Sequence, residues 1–310
     1  MTLPTFLGIG VPRAGTSWLN TLLAGHPDVY VPAIRDEIRF FDEHYDRGFE
    51  WYESLFPSRE EADGYRAIGE VSPQYLECEE CTERISAAIP QSQLIVILRH
   101  PVTRSYSQYG FFLQRRNYRG SFEDFLAFNP RSIERSYSHH LKRYLNLFDR
   151  SRVLALVFED VFRDVAQAKA TIADFLDIDV ARFPDSAGGG TVNASGVPRF
   201  RALSGFVAKT GNRLRRWHME PIVDLFMRSP VHRLLGKGEL LPPLDEDLKR
   251  RLSERFQGEF DQLERLMRID LSSWREIGPP NPGVVDASRH HPRGGLASVV
   301  RDASRVRRSP

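Results

Sequence analysis

Phe6-Leu7-Gly8-Ile9-Gly10-Val11-Pro12-Arg13-Ala14-Gly15-Thr16-Ser17-Trp18-Leu19-Asn20-Thr21-Leu22-Leu23 opens as an apolar run, breaks at glycine and proline, and resumes with apolar residues at helical spacing. That order predicts a strand, a tight loop and a helix. Four residues separate Gly10 from Gly15, the spacing of a P-loop whose backbone N–H groups cradle phosphate. A nucleotide-hydrolysing loop would continue with Lys-Ser or Lys-Thr. Here Thr16-Ser17 follows, and the cation is Arg13 inside the loop. Backbone donors and the positive end of a helix make an anion site. Which anion it takes, and whether a metal accompanies it, depends on the rest of the chain.

Further strands are predicted at Val29–Val31, Ala67–Val71, Gln93–Leu98 and Val153–Phe158. The last two are apolar without alternation, as central parallel strands tend to be. Between them fall helical patterns: an aromatic stripe from Tyr45 to Phe56, then Thr82–Ile89, Val102 onward, Ile133–Phe148, Val165–Leu176 and Leu248–Met267. Alternation of β and α predicts an α/β domain with a central parallel sheet between helices. Ligands of such sheets sit beyond the carboxyl ends of the strands. This singles out Gly10–Ser17, Glu70–Ser72 and Arg99–Ser107.

The chain has 310 residues, of which 41% are hydrophobic and 11% aromatic, enough for a substantial core. A formal net charge of +2 argues against a dedicated nucleic-acid binder. No stretch reaches the ~20 apolar residues of a membrane span, and Met1–Phe6 has neither the charged nor the apolar region of a signal peptide. Cys78 and Cys81 form a lone CxxC among glutamates, with no further soft ligands for zinc. They are expected to be two reduced cysteines in a reducing, cytoplasmic setting. Residues 1–278 are expected to form the functional domain, with 186–198 as a flexible loop. Residues 279–310, rich in Pro, Gly, Ser, Arg and His, are expected to be a disordered tail.

A metal-assisted phosphotransferase needs an acid at a strand end to hold Mg²⁺. The strongest strand here ends in Arg99, which repels Mg²⁺ and attracts a second anionic group. Ser107, eight residues on, can turn its hydroxyl back toward that anion. Two anion sites on neighbouring strand ends suit a nucleotide phosphorylated at both ends. Arg104 is assigned ordinary surface or helix-end pairing.

Val11–Leu19 resembles the 5′-phosphosulfate loop of sulfotransferases. Leu98-Arg99-His100-Pro101, with Ser107 and Tyr109, resembles their 3′-phosphate motif. Glu37-Ile38-Arg39-Phe40-Phe41-Asp42, followed by Trp51-Tyr52 and Pro57, is similar to the Golgi heparan sulfate sulfotransferases. The resemblance covers roughly residues 5–160. It implies a P-loop NTPase-like three-layer α/β sandwich. It also implies metal-free transfer of a sulfuryl group from 3′-phosphoadenosine 5′-phosphosulfate (PAPS) to a hydroxyl or amine of a small-molecule, glycolipid or carbohydrate acceptor. Under it, Arg13, Ala14, Gly15, Thr16, Ser17 and Trp18 form the donor cradle, with Arg13 countering charge on the leaving oxygen. Arg99 and Ser107 bind the 3′-phosphate, Glu37 is the general base, and Glu70 is a second acid/base candidate lining the site. Val71 stands where the heparan sulfate enzymes carry lysine. Their lysine-glycine-arginine loop has no counterpart, and Asn193–Arg199 resembles a bacterial loop in which Arg199 closes over the nucleotide. Two other readings remain: a P-loop nucleotide kinase or phosphotransferase, and a non-catalytic protein that binds 3′-phosphoadenosine 5′-phosphate (PAP).

Overall fold

Five short apolar segments pair side by side: β1 (Phe6–Gly10), β2 (Val29–Tyr30), β3 (Ala67–Val71), β4 (Gln93–Leu98) and β5 (Val153–Val157). The structure is a computed structural model, and it describes residues 2–34, 37–116, 118–133, 136–184, 196–197 and 239–275. The sheet order is β2-β3-β1-β4-β5, and every pairing is parallel. All residues of β1 and β3 are buried, as both faces of a covered parallel sheet require.

Helices fill the crossovers. α1 (Thr16–Ala24) links β1 to β2, and α2 (Gly48–Glu53) and α3 (Arg59–Ala62) lead to β3. α4 (Glu79–Ala88) leads to β4, while α5 (Pro101–Arg115), α6 (Phe122–Phe128) and α7 (Tyr137–Leu147) lead to β5. α8 (Phe158–Arg163) and α9 (Val165–Leu176) follow, and α10 (Glu246–Ser253), α11 (Gln257–Met267) and α12 (Ser272–Arg275) come later in the chain. Phe6 and Leu7 of β1, Leu22 of α1, Ile95 of β4, Leu141 of α7 and Phe260 of α11 share one apolar core with no exposed surface. This is the α/β sandwich with a central parallel sheet that the β-α alternation predicts.

Several boundaries differ from expectation because a cap sets them. α4 starts at Glu79 because the Cys78 sulfur accepts from the Cys81 N–H at 3.1 Å. α7 starts only after Ser136, whose hydroxyl caps the His139 N–H, and a 3₁₀ turn over Pro130–Ser132 precedes it. The aromatic stripe is a 3₁₀ turn (Tyr45–Arg47) followed by the short α2, and Leu248–Met267 is broken by another such turn at Glu254–Phe256. Gly196–Val197, expected within a loop, pairs as β6 antiparallel to β7 (Glu239–Leu240). The remainder of 186–198 and the tail 279–310 lie outside the described residues.

The cysteines correct the sequence reading. Cys78 and Cys81 are joined in a disulfide, and Cys81 is fully buried. One helical turn at an N-terminus leaves their Cα atoms 5.3 Å apart, inside bridging range. With no free thiols there, the pair no longer argues for a reducing compartment. Among the described residues, no helix is long and apolar enough to cross a membrane.

Candidate active site

The loop after β1 folds back on the sheet: the Val11 N–H donates to the Ile97 carbonyl of β4 at 3.0 Å. Arg13 and Gly15 both have left-handed backbones, with φ of 71° and 87°, the kind of turn that gathers successive N–H groups into an anion-binding concavity. At Gly15 a side chain would be strained by that φ, and its Cβ would stand 3.1 Å from the Phe162 ring. Gly15 is also the N-cap of α1 and offers no side-chain cap. The first-turn N–H groups at Thr16, Ser17 and Trp18 therefore depend on an acceptor from outside the helix. Ala14 is buried, and the Trp18 ring is only 4% exposed, packed edge-on to Phe162 at 5.5 Å. Trp18, expected at the donor site, places its ring in the core and has only backbone to offer there.

Arg99 leaves the end of β4 beside this loop. Its Nη1 donates to the Arg13 carbonyl at 2.9 Å, its Nε to the Thr103 hydroxyl at 3.3 Å, and its guanidinium lies 4.2 Å from the Phe158 ring centre. His100 caps α5, accepting from the Val102 N–H at 3.2 Å. Burial pushes His100 down to about 3, so the ring is the neutral acceptor this cap needs. From that start, the second turn of α5 brings the Ser107 hydroxyl within 3.3 Å of the Arg13 Nε, which donates to it. Arg13, Arg99 and Ser107, separated in sequence, are thus one cluster.

Its electrostatics favour an anion. Burial lowers Arg99 to about 10; the Glu159 carboxylate opposes that shift, and the Arg13 charge reinforces it. Burial also lowers Arg13. Both remain cationic at neutral pH, desolvated and close enough to repel one another, and an anion bound between them would relieve that cost. Glu159 is the counter-charge, held by the His100 backbone N–H at 3.2 Å and the Trp274 indole N–H at 2.8 Å. The sequence reading missed it, although a carboxylate two residues past β5 is the same strand-end signal that marked Arg99.

On the other side of β1, the turn after β3 crosses the strand end. Ser72 N–H donates to Gly8 O at 2.9 Å and Leu76 N–H to Ile9 O at 2.8 Å. The approach is so close that a Cβ on Gly10 would meet Leu76 at 2.9 Å. Gln74 of this turn donates to the exposed Glu37 carboxylate at 2.7 Å. The candidate base is thereby brought to the same carboxyl end of the sheet as the loop. Glu70 departs from expectation: it does not line an open site but is 2% exposed and takes hydrogen bonds from Tyr52, Ser72 and Tyr75. Arg104 departs as well. It pairs with Glu77 at 3.9 Å as ordinary pairing would, but from a buried position, and it donates to the Ser132 carbonyl at 2.6 Å. Arg199 lies outside the described residues.

Residues 3–187 match the sequence model of the sulfotransferase domain. Human heparan sulfate glucosamine 3-O-sulfotransferase 3B1 is 35% identical over 187 residues, 57% of this chain and 46% of that protein. The human 3-O-sulfotransferase 6 is 36% identical over 185 residues, 56% of this chain and 52% of that protein. The match thus spans about half the length of these relatives. The crystal structure of a sulfotransferase from Alicyclobacillus acidocaldarius aligns with a TM-score of 0.62 at 25% identity, covering 89% of this chain and 100% of that one. With its parallel sheet, uncapped helix and paired arginines in place, the chain belongs to the sulfotransferase domain family.

Proposed function

We propose that this chain transfers a sulfuryl group from PAPS to a hydroxyl or amine of a carbohydrate, glycolipid or small-molecule acceptor, with residues 1–278 as the working unit. The observation that carries the reading is the cluster of Arg13, Arg99 and Ser107 at the uncapped N-terminus of α1. It offers backbone donors for one phosphate-like group and two partly buried guanidiniums for further negative charge. The residues present fit a donor phosphorylated at both the 5′ and 3′ positions.

Each residue then has a physical task. The N–H groups of Gly15, Thr16 and Ser17 and the two hydroxyls bind and orient the 5′-phosphosulfate end. Arg99 and Ser107 hold the 3′-phosphate, for which a planar guanidinium is suited. PAPS supplies the sulfuryl group, bonded to its 5′-phosphate oxygen. Glu37 accepts the acceptor's proton as that group is attacked, with Gln74 fixing its carboxylate. Arg13 stabilises the charge that grows on the 5′-phosphate oxygen. Arg199 is assigned to close over the nucleotide. The similarity to glucosamine 3-O-sulfotransferases favours a carbohydrate acceptor. A P-loop phosphotransferase is disfavoured by Arg99, a cation at the strand end where Mg²⁺ would need a carboxylate.

The test is incubation with ³⁵S-labelled PAPS, in EDTA, over a panel of heparan oligosaccharides, glycolipids and phenols. Labelled product with release of PAP is expected. PAP binding with no transfer over the whole panel would favour a binding-only protein, and Mg²⁺-dependent transfer from ATP would overturn the reading.

A further inference from the structure

Glu70 is the centre of a buried network that the proposed chemistry does not use directly. It sits in β3 opposite Leu7 of β1. Its Oε1 accepts from the Tyr75 hydroxyl at 2.7 Å and the Tyr52 hydroxyl at 3.0 Å, and its Oε2 from the Ser72 hydroxyl at 2.5 Å. Each of the three partners also holds one of three consecutive residues in the segment that follows Glu37. The Ser72 hydroxyl accepts from the Arg39 N–H at 3.0 Å. The Tyr52 ring stacks on Phe40 with 4.2 Å between centres and 7° between planes. The Tyr75 hydroxyl accepts from the Phe41 N–H at 3.3 Å. Arg39 has a φ of 53°, an uncommon backbone for a non-glycine residue, and these contacts flank it.

We propose that Glu70 is a positioning residue, whose ionised carboxylate fixes the Glu37-bearing segment by setting the direction of two hydroxyl relays. An ionised carboxylate only accepts. Ser72 and Tyr75 must then donate to it and keep lone pairs for the Arg39 and Phe41 N–H groups. Protonated Glu70 becomes a donor, so the Ser72 or Tyr75 hydroxyl that receives its hydrogen must turn its own hydrogen elsewhere, and its hold on the Arg39 or Phe41 N–H weakens. The inference rests on Glu37 as base for its effect on turnover, but the anchoring itself does not.

The titratable groups facing Glu70 are Tyr52 from α2, Tyr75 from the turn after β3 and Asp42 from the anchored segment, where Asp42 is also paired with Arg39. Burial, then the charge of Glu70, pushes both phenols well above their ordinary range, so they stay donors. Burial pushes Glu70 up to about 7 against the three hydroxyl bonds, and Asp42 adds to the rise. The switch therefore operates near neutral pH. The sign for global stability is opposite to that for local order. A carboxyl raised from 4.5 to about 7 binds more protons folded than unfolded across that window, so stability falls as pH rises through it. The anchored segment tightens around the upper end of that window, where the folded carboxyl ionises.

The test is amide exchange at Arg39 and Phe41, followed by NMR from pH 5.5 to 8.5 and corrected for intrinsic rates, in wild type, Glu70→Gln and Tyr75→Phe. In wild type, protection at Arg39, at Phe41 or at both is expected to rise about five- to tenfold as pH passes 7, the worth of a hydrogen bond. The melting temperature is expected to fall as pH rises toward 7 and to level off above it. Glu70→Gln is expected to lose both pH dependences and to lower kcat, with PAP affinity by calorimetry unchanged. Tyr75→Phe is expected to lose protection at Phe41 while keeping it at Arg39, which keeps the inference testable if Glu70→Gln fails to fold. Protection that is flat with pH in wild type, or pH-dependent protection that survives in Glu70→Gln, would overturn it. The expected exchange pattern with wild-type turnover retained in Glu70→Gln would support the anchoring and count against Glu37 as base.

Discussion

Around Gly10–Ser17, functional groups are held by neighbours near in sequence or by a strand end: an uncapped helix, a left-handed Arg13, and Arg99 reaching back to the Arg13 carbonyl. Around Glu37–Asp42 there is no helix or strand, and the segment hangs on side chains from α2, α4 and the turn after β3. The first region presents charge in a rigid backbone mould, whereas the second presents one carboxylate on a segment held by hydroxyls. Binding of the donor should thus be robust to changes in the second region, and turnover should be sensitive to both.

The sharpest way to break that division is Glu37→Gln. Turnover is expected to fall about 10²-fold or more, the scale of general base catalysis, with PAP affinity by calorimetry unchanged. Wild-type turnover would move the base elsewhere. Arg99→Ala acts on the other region: PAP affinity is expected to drop about 10- to 100-fold, the worth of charge-assisted hydrogen bonds. Unchanged affinity would sink the 3′-phosphate assignment.

Smaller effects test the mould itself. Gly15→Ala is expected to cost about 1–2 kcal/mol of stability by denaturant unfolding, because its left-handed backbone disfavours a side chain. Phe162, 3.1 Å from the added Cβ, would have to shift. A cost no larger than at an exposed helical site would mean the loop relaxes freely. Ser107→Ala should weaken PAP by about two- to tenfold, a single neutral hydrogen bond. A loss as large as that of Arg99→Ala would mean that the 3.3 Å contact with Arg13 positions the arginine itself.

The same contrast explains what the sequence made legible. The mould is contiguous: glycine spacing, a missing lysine, and a strand that ends in Arg99 can all be read along the chain. Ser107 was reachable because α5 begins at Pro101 and carries it through a fixed number of turns. Glu37 could be named only through family resemblance, since an exposed loop carboxylate carries no local signature. Glu70 was misread as lining the site because its three hydroxyl partners converge only in the folded chain. Arg104 was misplaced for the same reason: nothing local says that Ser132 lies against α5. The CxxC spacing was plain, but its oxidation state was not, because bridging depends on how α4 begins.

Calorimetric titration of the wild type with PAP and with adenosine 5′-phosphate, each with and without EDTA, tests most directly whether Arg13, Arg99 and Ser107 form a metal-free site for a doubly phosphorylated nucleotide. PAP is expected to bind at least about tenfold more tightly than the 5′-monophosphate, the worth of its charge-assisted contacts, and EDTA is expected to leave its affinity unchanged. Equal affinities for the two nucleotides, or PAP binding abolished by EDTA, would contradict it.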